Sequence, residues 1–245
     1  LIYDDAETEQ GWSLGIAEDD ATAGMWIRDD PIGTFEGAVP VQPEDDHSLV
    51  GTMCFITGNA AFDGSNTGAG DVDGGRTTLE SPVYAIPPGV SPVVSYWRWY
   101  SNDQGFNPGE DNWIVQVRDQ NNIWINLEQT TTSDNSWSQH QFLVKHFFDQ
   151  ANQLQFRFIA EDAPSGSVVE AGVDDFHIFY TGEVIFTPGD VNFDTQINIQ
   201  DLVLIVAHIL GNSTLQGNAA LAADFNLDAT VNIQDIVTLV ATILD

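Results

Sequence analysis

One acidic pattern of twelve residues is written twice near the end of this chain, as DVNFDTQINIQD at residues 190–201 and as DFNLDATVNIQD at residues 224–235. Each copy runs directly into an apolar segment, LVLIVAHIL after the first and IVTLVATIL after the second. Apolar residues recur there at i, i+3, i+4 and i+7, which predicts a helix after each copy. The repeat therefore predicts two loop–helix units that pack on each other, because one unit cannot bury its apolar face alone.

Oxygen-bearing side chains occupy the first, third, fifth, ninth and twelfth positions of both copies. Calcium takes six to eight oxygen ligands, and a loop wrapped around it adds a backbone carbonyl at the seventh position. Without a cation, the three carboxylates of each loop would repel one another. We therefore predict two calcium ions, the first bound by Asp190, Asn192, Asp194, Gln196, Asn198 and Asp201, and the second by Asp224, Asn226, Asp228, Thr230, Asn232 and Asp235. The alternative is a pair of Asx-rich turns that only cap the helices.

The segments GDVNFDTQINIQDLVLIVAHIL and ADFNLDATVNIQDIVTLVATIL resemble the two halves of a type I dockerin. This resemblance covers residues 189–245 and implies calcium loops and helices that dock onto a cohesin module of an extracellular scaffold. Three features depart from the family pattern. The sixth loop position, usually Gly, is Thr195 in the first copy and Ala229 in the second. Ile-Gln stands at the tenth and eleventh loop positions of both copies, where many dockerins carry a small hydroxyl pair, and the unit has no Lys or Arg. The partner therefore stays open between a cohesin-like protein and another copy of this chain.

The predicted helices are too apolar for a single packing face. The segment LVLIVAHIL has His208 as its only polar residue, so residues that face away from the sister helix would be wet unless another surface covers them. A large exposed apolar patch normally marks an interface. We predict that the residues in contact with the β domain or with another chain are Val203, Ala207, Val237 and Ala241.

Residues 1–182 show short apolar runs separated by clusters of Gly, Asn, Asp and Pro, for example VGTMCFITGNA, DNWIVQVRD and NQLQFRFIAED. Many short strands at this spacing predict a two-sheet jelly-roll sandwich. Pro188 and Gly189 mark the change to helical patterns. The predicted fold class is therefore mostly β: a sandwich at 1–182, a short linker at 183–189 and a small α-helical calcium-binding domain at 190–245.

Acidic residues recur at the predicted strand ends of the β domain. The first and last strands of a jelly roll are often neighbours, which would bring DDAETE near EAGVDDF, and the Asp-Val-Asp-Gly-Gly run suits a tight loop around a cation. The candidate ligands for one or more further calcium ions are Glu7, Asp46, Asp71, Asp73, Asp174 and Asp175. The competing interpretation is a set of solvated loop acids.

The segments AETEQGW, QPEDDH, DVDGGRTTLESP, VSYWRWYSND and VEAGVDDF resemble jelly-roll accessory domains of secreted bacterial peptidases and, more distantly, MAM domains. The resemblance implies a non-catalytic module with structural calcium and a carbohydrate or protein ligand. In YWRWY, Trp97 and Trp99 alternate with Tyr96, Arg98 and Tyr100, so the two sets face opposite sides of one strand. An exposed aromatic row would stack on sugars, but the favoured interpretation places one set in the core and the other under a loop.

Charge and composition narrow the function further. With 37 acidic residues against 6 Lys plus Arg and a net charge of −31, the chain would be repelled by nucleic acid and by anionic membranes. No apolar stretch is long enough for membrane insertion. The single cysteine, Cys54, excludes an intrachain disulfide, and its apolar surroundings predict a buried thiol. Composition and the polar start of the chain indicate a mature or excised piece of a secreted or cell-surface protein.

No catalytic constellation is visible, since the chain lacks an HExxH or G-x-S-x-G pattern, although two carboxylates of a glycosidase would leave no motif. We therefore predict no enzyme, but a calcium-binding extracellular module that docks onto a protein partner, with a jelly roll that binds carbohydrate or protein. The alternative is a structural subunit that assembles with copies of itself into an extracellular fibre or sheath stabilised by calcium.

Overall fold

The chain divides into two compact units. A computed structural model describes residues 2–163, 166–180, 187–192, 196–215, 218–226 and 230–244. The first unit comprises Leu1–Ile86 and Pro92–Tyr180, and the second comprises Pro87–Ser91 and Thr181–Asp245. Strands build the first unit and helices the second, which confirms the predicted mostly β fold with a small helical part.

The described strands belong to the first unit and the described α-helices to the second. In chain order the strands are β1 (Ile2–Asp4), β2 (Ser13–Leu14), β3 (Trp26–Asp29), β4 (Thr34–Glu36), β5 (Val39–Gln42), β6 (Cys54–Thr57), β7 (Gly75–Glu80), β8 (Tyr84–Ala85), β9 (Pro92–Gly105), β10 (Trp113–Arg118), β11 (Ile125–Thr130), β12 (Ser138–Leu143), β13 (Gln153–Asp162) and β14 (Ser167–Tyr180). A short 3-10 helix spans Val144–His146, and the α-helices are α1 (Ile199–Ile209), α2 (Asn218–Ala223) and α3 (Ile233–Leu244).

Two antiparallel sheets form the sandwich. One sheet has the strand order β12-β9-β14-β6-β3, with β1 added beside β14, and the other has the order β11-β10-β13-β7-β2, with β8 beside β13. Strands β4 and β5 form a separate small hairpin. The pairing of β1 with β14, in which Tyr3 lies opposite His177, confirms that the first and last strands are neighbours.

Strand periodicity explains how the sandwich buries its core. In β10 the buried residues are Trp113, Val115 and Val117, and the residues between them point to the opposite face. Trp113 meets Phe158 of β13 with ring centroids 6.0 Å apart, and Phe158 meets Phe176 of β14 edge-on at 6.3 Å. Aromatic rings of both sheets therefore interlock between them. Cys54 of β6 is buried, as predicted.

The structure of the YWRWY segment agrees with the favoured interpretation, in which one set of side chains lies in the core and the other set is covered. Tyr96, Arg98 and Tyr100 are buried on one side of β9. On the other side, the Trp97 ring stacks on the imidazole of His47 with centroids 3.6 Å apart, and the Trp99 indole N–H donates to the carbonyl of Val41. Loops thus cover these two tryptophans, and they form no open row for sugar stacking.

The helical unit has a much smaller core. Its buried residues are Val191, Ile205, Ala222, Ala223 and Leu239. Helices α1 and α3 supply Ile205 and Leu239 at equivalent positions of the two repeats, and α2 supplies the two alanines. The predicted packing of the two loop–helix units on each other is therefore confirmed. Within the described part of the chain, no helix is long and apolar enough to cross a membrane.

Candidate calcium loops, docking helices and acidic clusters

The closing aspartate of the first loop organises the backbone around it. Asp201 is fully buried, and its Oδ1 accepts hydrogen bonds from the amides of Val191 and Asn192 at 2.8 and 3.1 Å. Its Oδ2 accepts from the amide of Asn198 at 2.9 Å. One side chain therefore joins both ends of the loop and fixes where α1 begins.

The second loop repeats this arrangement. Asp235 is fully buried, its Oδ1 accepts from the amide of Asn226 at 3.1 Å, and its Oδ2 accepts from the amide of Asn232 at 2.8 Å. These contacts are the equivalents of those made by Asp201, displaced by one repeat. In their described parts, the two loops therefore share contacts to the closing aspartate as well as a sequence pattern.

The helices begin two residues before the closing aspartates. The amide oxygen of Asn198 accepts from the amide of Gln200 at 2.7 Å, and with Asp201 it forms a capping box for α1. In the second copy, Asn232 accepts from the amide of Gln234 at 2.8 Å. The ninth-position asparagines thus act as helix caps, which satisfy amides that a helix start leaves unpaired.

The donor set of the first loop fits a calcium ion. Asp190 is 4 % exposed and Asp201 is fully buried, so two carboxylates lie inside a small loop. A carboxylate offers about four lone-pair positions. Among the described residues, Oδ2 of Asp201 accepts from the amide of Asn198, which leaves a second position on this oxygen for a cation. The fifth-position ligands, Asp194 and Asp228, lie outside the described residues. Within the described residues, no three His, Cys, Asp or Glu side chains form a group that could hold a metal ion.

Equivalent apolar residues of α1 and α3 are exposed. Val203 of α1 is 61 % exposed and its repeat equivalent Val237 of α3 is 65 % exposed. Ala241 is exposed as well, whereas Ala207 is partly buried. The predicted contact of these four residues with another chain therefore stays a prediction.

Acidic side chains from distant parts of the sandwich lie around one another near Asp46. Burial raises the pKa of Asp46, and the negative charges of Glu7 and Asp175 raise it further. Its Oδ2 is buried and, among the described residues, has no hydrogen-bond partner. Glu7 receives hydrogen bonds at Oε1 from the amides of Thr52 and Met53 at 2.8 and 2.7 Å.

The consecutive aspartates of β14 have different partners. Asp174 accepts from the amides of His47 and Ser48 at 2.9 and 3.1 Å, and burial raises its pKa to about 7. Asp175 accepts from the Tyr3 hydroxyl at 2.6 Å, lies 2.6 Å from the His47 imidazole and accepts from the Ser48 hydroxyl at 2.9 Å. Asp175 therefore ties β1 and the loop at 47–48 to β14. Asp174 accepts a third backbone hydrogen bond, from the amide of Asp175 at 2.7 Å, and joins the same loop to β14.

Asp71 and Asp73 lie in a second acidic cluster. Burial raises the pKa of Asp71 to about 7, with further contributions from the charges of Asp73 and Asp162. Sequence reasoning missed Glu170 of this cluster, whose pKa is raised well above its usual value by burial and by Asp71. Its Oε2 accepts from the Thr57 hydroxyl at 3.4 Å. Its position depends on the pairing of β14 with β9, and no local sequence pattern predicts that pairing.

Residues 188–244 match the family model of the dockerin type I domain. The match confirms the predicted resemblance for this part of the chain. None of the curated proteins matches the chain.

The sandwich is similar to solved β-sandwich structures at low identity. TmCBM61, solved with β-1,4-galactotriose, is 11 % identical, and the match covers 70 % of this chain and 90 % of that one at a TM-score of 0.42. The cleaved adhesin domain of Lys-gingipain from Porphyromonas gingivalis is 13 % identical over 74 % of this chain and 98 % of its own, with a TM-score of 0.42. The CBM22-1 xylan-binding domain of Paenibacillus barcinonensis Xyn10C is 14 % identical over 73 % and 92 %, with a TM-score of 0.32.

Proposed function

We propose that residues 190–245 form a calcium-stabilised docking module, and that exposed apolar residues of α1 and α3 bind a protein partner. The observation that carries the proposal is the exposure of equivalent residues on both helices. Ile199 and Ile233 are 70 and 62 % exposed, and Val203 and Val237 are 61 and 65 % exposed. An apolar surface of this kind in a helical unit of this size is typical of an interface.

The repeat gives the docking surface two similar halves. Residues 199 and 203 of α1 correspond to residues 233 and 237 of α3, because the pattern recurs after 34 residues. Each loop carries Ile-Gln at its tenth and eleventh positions. An isoleucine, instead of a residue with a hydroxyl group, therefore lies at the start of each half of the docking surface. The partner surface is therefore expected to be apolar at these two places.

The charge of the helical unit indicates what kind of partner surface it would attract. The helical unit contains no Lys or Arg, and each of its loops contributes three aspartates. A partner with cationic groups around an apolar centre would be attracted at long range, and this attraction would weaken as salt is added. A cohesin-like module with such a surface is the proposed partner.

Calcium would be held by the side chains of the first, third, fifth and twelfth loop positions and by the carbonyl of the seventh. Bound calcium neutralises the carboxylates that crowd each loop. The buried Asp201 and Asp235 already join the loop amides to the helix starts, so a cation on the same side chains would couple loop closure to the orientation of α1 and α3.

The sandwich is proposed to be a non-catalytic, extracellular ligand-binding module with its own structural calcium. The buried Asp46 Oδ2, together with the nearby charges of Glu7 and Asp175, supports a cation at this end of the sandwich. Asp71, Asp73 and the unpartnered Oε1 of Glu170 support a second position. The proposed ligand class of the sandwich is carbohydrate.

Self-assembly is the second candidate function. The same open helix face favours it, because apolar residues that bind a foreign partner can equally bind another copy of the chain. Contacts between different surfaces of successive copies would build a fibre if they do not close into a ring.

Sedimentation of the full-length chain separates the two functions. The chain is measured alone and with an isolated type I cohesin module, in millimolar calcium and in excess chelator. Docking predicts a monomer that forms a complex with the cohesin module in calcium only. Self-assembly predicts large particles of the chain alone, which dissolve in chelator.

A double variant tests whether the helix face carries the interaction. Val203→Asp with Val237→Asp should abolish the complex or the particles without changing the helix content, whereas Thr214→Asp in an exposed loop is the matched control. Unchanged assembly in the double variant, or no response to calcium, would show that the proposed surface is wrong.

A further inference from the structure

Half of the cationic side chains of this protein lie on one face of the second sheet. Strand alternation places the core residues of β10 and β13 on one side and Arg118 and Arg157 on the other. Arg76 of β7 lies on the same outer face, opposite Glu161 of β13. The chain has 6 Lys plus Arg in total, so this is a marked concentration of positive charge in a strongly acidic protein.

Two of these arginines share an aromatic side chain. The guanidinium carbons of Arg118 and Arg157 lie 4.6 and 4.3 Å from the ring centroid of Trp124. Arg118 donates from Nε and Nη2 to the Gln155 amide oxygen at 3.0 and 2.6 Å, and Arg157 donates from Nε to Gln116 at 2.6 Å. The guanidinium groups are therefore oriented by neutral partners and retain N–H donors for a ligand.

A chain of side-chain amides continues from this cluster across the face. Gln116 donates to Asn126 at 2.6 Å, and Asn126 donates to Gln129 at 3.1 Å. Gln129 in turn donates to Asn112 at 3.2 Å, and Asn112 donates to Glu161 at 2.8 Å. Each amide is thus held by its neighbours in a fixed orientation, which prepares donors and acceptors for a hydroxyl-rich ligand without further ordering.

Glu80 and Glu161 lie opposite Arg157 and Arg76 on neighbouring strands, but the described acidic residues of this face form no direct ion pair with the arginines. Among the described residues, no carboxylate oxygen lies within 4.0 Å of the guanidinium groups of Arg76, Arg118 or Arg157. Glu80 and Glu161 instead accept hydrogen bonds from Gln155 and Asn112. Partial burial lowers the pKa of Arg157, the charges of Arg76 and Arg118 lower it further, and those of Glu80 and Glu18 oppose them. Arg157 therefore has two cationic neighbours although the net charge of the chain is −31.

We propose that the outer face of the second sheet, formed by Arg76, Arg118, Arg157, Trp124 and the amides between them, binds a neutral polysaccharide that carries single uronate groups. The guanidinium groups would pair with the carboxylate of the uronate, for which their planar fork is suited. The oriented amides would bind sugar hydroxyls, and the half-buried Trp124 would offer ring surface to a sugar.

The charge of the whole chain decides between a uronate-bearing neutral glycan and a polyanion. A polyuronate would place many carboxylates near a surface with 37 acidic residues, so repulsion would accompany every additional contact. A single carboxylate reaches the arginines while the rest of the ligand stays uncharged. Acidic groups of the protein that lie farther than about 8 Å from this carboxylate are largely screened from it at physiological salt.

This inference deepens the carbohydrate-binding part of the proposed function and is independent of docking by the helices. The test is calorimetric titration of the full-length chain with glucuronoxylan, a xylan with glucuronate side groups, and with the same polymer after reduction of its carboxyl groups. We expect the native polymer to bind at least about tenfold more tightly than the reduced one, because a hydrogen bond to a charged group is lost. Polygalacturonate should bind more weakly than glucuronoxylan.

Variants locate the site. Arg118→Gln should raise the Kd for glucuronoxylan about tenfold or more and leave the Kd for the reduced polymer nearly unchanged. Arg76→Gln removes a cation whose side chain makes no hydrogen bond to the described residues, so it keeps the test valid if Arg118→Gln fails to fold. Lys145→Gln, which makes the same change of charge at an exposed position elsewhere, is the matched control.

The outcomes separate this inference from the function that it refines. Equal affinity for the native and the reduced polymer would overturn the role of the arginines while leaving carbohydrate binding intact. Absence of binding to either polymer would overturn both. A loss of affinity in Lys145→Gln as large as in Arg118→Gln would show that only the overall charge matters.

Discussion

The sandwich and the helical unit bury apolar surface on very different scales. The sandwich interlocks Trp26, Trp113, Phe156, Phe158 and Phe176 between its sheets. Among the described residues, the helical unit has five buried apolar residues, two of which are alanines, and carboxylates are buried in its loops. The comparison teaches that the first unit has a core large enough to fold by itself, whereas we expect the second to depend on its acidic loops, and on the calcium proposed for them, to hold its helices together.

The core of the sandwich should respond most strongly to truncation. Trp113→Ala removes a fully buried ring that contacts Trp26 and Phe158, and we expect a loss of about 3–5 kcal/mol in the free energy of unfolding. Urea denaturation, with near-ultraviolet circular dichroism for the sandwich and far-ultraviolet helix signal for the other unit, measures it. The helix signal should be unaffected. A common loss in both signals would show that the two units unfold as one.

Truncation in the helical core should have a somewhat smaller effect, confined to that unit. Leu239→Ala leaves a cavity between α1, α2 and α3, and we expect a cost of about 2–4 kcal/mol, seen in the helix transition alone. Val237→Ala, two residues away on the exposed face of the same helix, is the control and should change stability little. If both variants cost the same, residues 199–244 do not have the described core.

The closing aspartates should matter less without calcium than with it. Asp201→Ala leaves three loop amides without their acceptor, which we expect to cost about 1–3 kcal/mol in chelator, and more in millimolar calcium because a ligand is lost as well. Asp235→Ala should behave in the same way in the second loop. The measurement is helix stability in denaturant at both calcium levels. A cost that is independent of calcium would reduce the aspartates to helix caps.

The smallest expected effect concerns the ion pair between Asp134 and Arg98 of β9. Burial opposes ionisation of Asp134, but hydrogen bonds from Arg98 and Ser138 outweigh it and lower the pKa of Asp134 below its usual value. A lowered folded-state pKa contributes stability above the unfolded-state value, near 3.8, and that stability is lost as the pH falls through the folded-state pKa.

Because Asp134 is partly exposed, its contribution should be below about 1 kcal/mol. Unfolding free energies of the wild type and of Asp134→Asn, measured between pH 7 and pH 2, should differ at neutral pH and converge in acid. A constant difference across that range would assign the effect of the variant to packing instead of charge.

Local patterns in the sequence were enough to predict the elements. The period of LVLIVAHIL and IVTLVATIL predicted α1 and α3, and the repeated loop predicted that they pack as a pair. The apolar runs DNWIVQVRD and NQLQFRFIAED predicted strands, and they are β10 and β13. The helices begin at Ile199 and Ile233, ahead of the apolar segments that predicted them, because Asn198 and Asn232 are caps whose role depends on a hydrogen bond to a nearby amide.

The sequence by itself thus determined the two classes of fold and the repeated loop–helix pattern, because these follow from spacing along the chain. Only the tertiary structure decided which distant residues meet. It placed Trp97 beneath His47, separated the roles of Asp174 and Asp175, and added Glu170 to the acids around Asp71. It also gathered Arg118 and Arg157 around Trp124, since strand order and register set such contacts and no local pattern encodes them.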